Sequence, residues 1–117
     1  MRFFTTLSTS LGIVAVSAAA CLSGSAFAAV DAEAAQALAK KSDCFKCHAV
    51  DKSKKGPSLK KIAEKYKGKA DGEEKAIKNF TTAPKVKLDD GTEEEHPIVK
   101  SKDPAALKNL AGWILSQ

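Results

Sequence analysis

From Asp31 onward, polar stretches separate segments in which apolar side chains return every three or four residues. Asp31 to Lys41 is alanine-rich, includes Leu38, and has acids at its start and lysines at its end. That pattern predicts a helix whose charges match its dipole. Asp51 to Gly56 is polar and predicts a loop. Pro57 opens a second predicted helix with Leu59, Ile62, Ala63 and Tyr66 on one face, closed by Gly68. Asp71 and Glu74 have the spacing of a capping box for a third helix that runs to Phe80. Asp103-Pro104 supplies an N-cap and a first-turn proline for a final helix carrying Leu107, Leu110, Trp113 and Ile114. Before it, Thr81 to Ser101 holds prolines and glycine but no apolar period, which predicts a long loop. No run reads as a strand, so the predicted fold class is all-α.

Between the first two predicted helices stands Cys44-Phe45-Lys46-Cys47-His48. This is C-x-x-C-H, the attachment sequence for a c-type haem. Two thiols one helical turn apart can each form a thioether with a haem vinyl group, and His48 is then held under the iron as proximal ligand. Two other chemistries use the same residue types. A redox disulfide between Cys44 and Cys47 needs a surrounding βαβ pattern, which is not visible. A zinc site completed by His48 and His96 lacks the second short-spaced pair that structural zinc normally uses. One covalently attached haem c is the expected cofactor.

Residues 1–28 read as a secretory signal peptide. Arg2 gives the basic start, Leu11 to Leu22 the short apolar region, and Ala26-Phe27-Ala28 the cleavage site, so the mature chain is expected to begin at Ala29. The apolar run is too short and too interrupted by Gly12, Ser17 and Ser23 to anchor the chain across a membrane. Cys21 lacks the leucine usual three positions upstream in a lipoprotein signal, and it leaves with the peptide. Haem is joined to c-type apoproteins outside the cytoplasm, so export to a bacterial periplasm suits the motif and works against a reduced zinc site.

Removing residues 1–28 from the 117 leaves 89 residues, enough for one small domain with a marginal core. A covalent haem offers such a chain an apolar plate to fold around. Phe45, Val50, Leu59, Ile62, Tyr66, Ile77, Phe80, Leu107, Leu110, Trp113 and Ile114 are the expected wall of that core. The only arginine is Arg2, so the mature chain is cationic through lysine alone and its net charge falls from +5 to +4. Two ionised haem propionates would bring it to about +2. Nucleic-acid binders usually show arginines and interleaved aromatics, so the charge reads as solubility and docking, with no nucleic-acid partner expected.

The order of these features resembles small bacterial class I cytochromes c. The resemblance rests on an N-terminal helix, C-x-x-C-H, Gly56-Pro57-x-Leu59, Tyr66-Lys67-Gly68, a loop, and Leu110-Ala111-Gly112-Trp113-Ile114-Leu115-Ser116. It covers nearly all of the mature chain. It implies a class I cytochrome c fold of about four helices around one haem. Cys44 and Cys47 are then on the thioethers and His48 on the iron. The Pro57 carbonyl contacts the His48 ring, and the first helix packs against the last with Trp113 at or near the crossing.

One departure carries information. The family's sixth ligand is usually a methionine followed by proline, in the loop before the final helix. Here the single methionine is Met1, and His96-Pro97 stands at the expected place, after Glu93-Glu94-Glu95. The iron is left with His96, a lysine (Lys85, Lys87 or Lys100), water, or nothing. Imidazole suits iron, whereas lysine must first lose a proton, so His96 is the expected ligand. Bis-histidine ligation predicts a lower potential than in methionine-ligated relatives. The usual tryptophan of that loop is also missing, so its propionate contacts do not carry over.

The functional expectation is a soluble, monomeric, periplasmic one-electron carrier meeting redox partner proteins transiently, with no catalytic group beyond the haem. Lys46, Lys52, Lys54 and Lys55 lie near the motif and can steer an acidic partner. The rivals are a gas-binding or sensing haem protein, or a small haem enzyme, in which His96 is displaced, and a subunit of a larger dehydrogenase.

Overall fold

The computed structural model describes residues 29–117. The expected signal peptide and Cys21 lie outside the described residues. The element order is α1 (Ala32–Lys41), a 3-10 turn (Cys44–Lys46), α2 (Leu59–Tyr66), α3 (Gly72–Thr81), β1 (Lys85–Lys87), β2 (Glu93–Glu95) and α4 (Pro104–Leu115). α1, α2 and α3 all pack against α4. The four predicted helices are all present, gathered around α4.

α1 and α4 meet through small side chains. Ala35 and Ala39 of α1 and Ala111 of α4 are almost fully buried, which lets the two backbones approach closely. Asn109 of α4 fixes the start of α1: its amide oxygen accepts from Asp31 N and its amide nitrogen donates to Asp31 O, both at 2.8 Å. The Asp31 carboxylate meanwhile caps α1 by accepting from Ala34 N at 3.0 Å. Trp113 is buried and meets Phe45 edge to face, with ring centroids 6.4 Å apart, so it links α4 to the haem-motif turn.

The expected core is largely the observed one. Leu59, Tyr66, Phe80, Leu110, Trp113 and Ile114 are buried. Phe45, Val50, Ile62, Ile77 and Leu107 are half-buried and pack against the central cluster. Val99, beyond the hairpin, joins that cluster.

Three local expectations need correction. α2 begins at Leu59 with Ser58 as its N-cap, accepting from Lys61 N at 3.2 Å, so Pro57 precedes the helix. The Asp71 carboxylate makes no capping bond; it pairs with Lys75 at 2.7 Å, one turn on. The loop from Thr81 to Ser101 is not wholly irregular, because β1 and β2 form an antiparallel hairpin within it. Its register sets Lys85 opposite Glu95 and Lys87 opposite Glu93, two pairs of opposite charge. Leu88 to Gly91 makes the turn: Gly91 N donates to Leu88 O at 2.9 Å and Gly91 has φ +85°. That left-handed glycine is the usual end of a three-residue hairpin loop.

Candidate functional site

The haem motif folds as one tight turn. Cys47 N and His48 N both donate to the carbonyl of Cys44, at 3.2 and 2.9 Å. Asp43, just before it, has φ +62°, and its carboxylate is held by Lys100 at 3.0 Å and Lys46 at 3.2 Å. Those two ammonium groups, Lys100 first, keep the Asp43 carboxyl below its ordinary range. Lys54 Nζ donates to Phe45 O at 2.5 Å and braces the turn from the following loop.

Cys44, Cys47 and His48 form one wall of a cavity of about 660 Å³. α2 and α3 contribute Leu59, Ile62 and Phe80, α4 contributes Leu110 and Ile114, and the hairpin closes the far side with Val86, Glu94 and Glu95. The volume falls within the roughly 300–1,000 Å³ of cofactor sites, and the walls are mainly apolar. Both thiols are free and half-buried. Burial pushes the Cys44 thiol pKa up, so Cys44 is a poor thiolate and is not an activated redox nucleophile. Among the described residues no three His, Cys, Asp or Glu side chains converge as a metal cluster, so the thiols and imidazoles do not form a closed zinc shell.

His96 lies across this cavity from His48. The two ring centroids are 6.1 Å apart and the rings are tilted by 36°. Two metal–nitrogen bonds of about 2 Å each, with roughly 1 Å from each nitrogen to its ring centre, span about 6 Å. Each ring also uses Nδ1 on a proline carbonyl, His48 on Pro57 at 2.6 Å and His96 on Pro97 at 2.9 Å. A carbonyl only accepts, so each Nδ1 is the donor, which leaves Nε2 as the nitrogen that carries the lone pair in a neutral ring. Burial lowers the His48 pKa, the Pro57 contact opposes that, and His96 adds to the lowering; the net direction favours the neutral ring, the form that can bind a metal. The donor set fits a haem: two thiols, an oriented imidazole, apolar walls and a second imidazole opposite.

The alternative lysines stand differently. Lys85 and Lys87 line the cavity from β1. Lys100 is engaged with Asp43, and its backbone N–H donates to the buried Ser42 hydroxyl at 2.9 Å. Of the lysines expected to steer partners, Lys46, Lys54 and Lys55 are exposed but hold contacts to Asp43, Phe45 O and Glu94. Among the described residues Lys52 has neither an ion pair nor a hydrogen bond.

Sequence reasoning missed two features. The first is the partner of Tyr66, a residue expected in the core wall and buried there: its hydroxyl accepts from Asn79 Nδ2 at 2.8 Å, a polar pair on an apolar face. The Lys55–Glu94 ion pair, at 2.9 Å, joins residues far apart in the chain, and nothing local signals it.

A half-buried C-x-x-C-H turn, an oriented histidine and a haem-sized apolar cavity inside this helix arrangement define a c-type cytochrome. The chain belongs to the cytochrome c family, whose pattern it matches over residues 32–117. Among solved structures it is similar to the class 1 cytochrome MtoD from Sideroxydans lithotrophicus ES-1. The two are 57% identical with a TM-score of 0.72, covering 75% of this chain and 97% of that one. It is also similar to wild-type Nitrosomonas europaea cytochrome c552, at 36% identity and TM-score 0.56, covering 69% of this chain and 96% of the other. A comparison with curated protein sequences gave no match. Membership brings one covalently attached haem c, and Cys44, Cys47 and His48 fit its attachment motif. The protein is a monohaem electron carrier. Among the described residues no helix is long and apolar enough to cross a membrane.

Proposed function

We propose that this protein is an exported, periplasmic one-electron carrier whose haem iron is held between His48 and His96. Its potential lies below that of methionine-ligated members of the family. The observation that carries the reading is the 6.1 Å separation of two imidazoles whose Nδ1 atoms both donate to proline carbonyls. When bound, the haem supplies a one-electron ferric–ferrous couple. Cys44 and Cys47 tether it through thioethers, and the Pro57 carbonyl sets the plane and basicity of the His48 ring. His96 would hold the iron from the side opposite His48, and no side chain is assigned a catalytic step.

A second imidazole donates more strongly than a thioether and favours the ferric state. Glu94 and Glu95 at the cavity wall push the same way, weakened by solvent. Redox partners dock transiently on the exposed lysine-bearing side of the motif. The ferric and ferrous absorption spectra test this directly. Low-spin ferric protein without the weak red band of a methionine–iron bond, and slow carbon monoxide binding when reduced, are expected. A high-spin ferrous spectrum with immediate carbon monoxide uptake overturns the axial role of His96.

A further inference from the structure

We propose that Lys55 is a positioning residue for the distal ligand, acting through its ion pair with Glu94. The proposal rests on His96 being that ligand. The pair measures 2.9 Å and ties the loop beside the proximal histidine to the strand that ends next to His96. Lys55 immediately precedes Gly56 and Pro57, and the Pro57 carbonyl holds His48 Nδ1 at 2.6 Å. Glu94 lies two residues before His96.

The hairpin's other ties explain why this contact matters. Beyond His96 the chain is fixed firmly: Val99 N donates to Phe80 O at 2.9 Å, and Lys100 binds both Ser42 and Asp43. At the hairpin base, His96 N donates to Pro84 O at 2.8 Å. Residues 85–95 otherwise bond among themselves. Among the described residues the Lys55–Glu94 pair is their only hydrogen bond or ion pair to the rest of the chain. Val86 and Leu88 line the cavity and are not among the side chains packed against the central cluster. A two-stranded hairpin is only marginally stable by itself, so one external latch has leverage over the segment leading into His96.

The latch is half-exposed, so its effect is modest and salt-sensitive. It limits how often the hairpin swings out and frees the axial position for an incoming ligand. The test measures the rate of carbon monoxide binding to the reduced holoprotein, and of cyanide binding to the oxidised one, by stopped flow. Lys55→Gln is expected to accelerate both about two- to five-fold, and Lys55→Glu by more. Lys55→Arg and the exchanged pair Lys55→Glu with Glu94→Lys are expected to return close to the wild-type rate. Rising salt is expected to accelerate the wild type and leave Lys55→Gln unchanged.

If Lys55→Gln and Lys55→Glu bind at the wild-type rate, or the exchanged pair is as fast as Lys55→Glu alone, the latch is overturned while His96 ligation stands. If the wild type already binds carbon monoxide as fast as His96→Ala, the ligation reading falls and the latch with it.

Discussion

Gly56 lies so close to the ring of His48 that a methyl group on its Cα would come within 2.8 Å of Cε1 and 3.2 Å of Nδ1. The backbone under the proximal histidine therefore has to be glycine for the ring to meet the Pro57 carbonyl. Gly56 N also donates to Cys47 O at 2.8 Å, so the loop cannot simply move away. Gly56→Ala should cost about 1–3 kcal/mol by overpacking and shift the low-spin haem spectrum as the ring tilts. Denaturant unfolding and the ferric spectrum check both; an unchanged midpoint with an unchanged spectrum would mean the loop yields freely.

Asn109 holds the start of α1 with two hydrogen bonds to Asp31. Asn109→Ala should destabilise the protein by about 1–2 kcal/mol, since both backbone groups can turn to water instead. Asn109→Asp should cost at least as much as Asn109→Ala, because it sets an anionic oxygen against the Asp31 carbonyl to which Nδ2 now donates. Denaturation midpoints at neutral pH order the three proteins.

The Asp43 carboxyl is held below its ordinary value of 3.8, chiefly by Lys100 and then by Lys46. A depressed folded-state pKa contributes stability that is present above pH 3.8 and lost as pH falls through the lowered value. The group is fully exposed, so the contribution is small. In Lys100→Ala the Asp43 pKa should rise towards 3.8 yet stay below it, because Lys46 remains. Carboxyl titration by NMR of wild type and variant measures this, and identical pKa values would show that the Lys100 contact is not kept in solution.

Helix positions were legible because each helix carries apolar residues at three- and four-residue spacings and ends in caps or glycine. The hairpin was not, because Lys85, Val86, Lys87 and Glu93 to Glu95 are too short and too charged to show alternation. What stabilises them is non-local: the cross-strand Lys85–Glu95 and Lys87–Glu93 pairs. Asp90-Gly91 was the one available signal, since an aspartate–glycine step often marks a hairpin turn. Ala35, Ala39 and Ala111 read as helix formers, and only the close approach of α1 and α4 makes them core. The site divides in the same way. Cys44, Cys47 and His48 fit in five consecutive residues, whereas the facing of His96 and His48 depends on a hairpin whose strands show no local alternation.

The mature protein should carry one haem that survives acid–acetone extraction. Its intact mass should equal residues 29–117 plus one haem, which tests the cleavage site and both thioethers together. A mass including residues 1–28 refutes cleavage, and haem released into acetone refutes the thioethers at Cys44 and Cys47.

His96→Met should raise the reduction potential, since a thioether replaces the second imidazole and Pro97 already follows. The weak red band of a methionine–iron bond should appear in the ferric spectrum. Potentiometric titration beside the wild type measures the shift, and an equal or lower potential counts against imidazole as the native sixth ligand.

The ferric spin state of His96→Ala tests the bis-histidine site most directly. Haem attachment should persist in this variant, because Cys44, Cys47 and His48 are untouched, and the Trp113–Phe45 contact does not involve His96. With the imidazole gone, electron paramagnetic resonance should show loss of the low-spin signal and appearance of a high-spin ferric signal. An unchanged low-spin signal would contradict His96 as the ligand and turn attention to Lys85 and Lys87, the two lysines on the β1 side of the cavity.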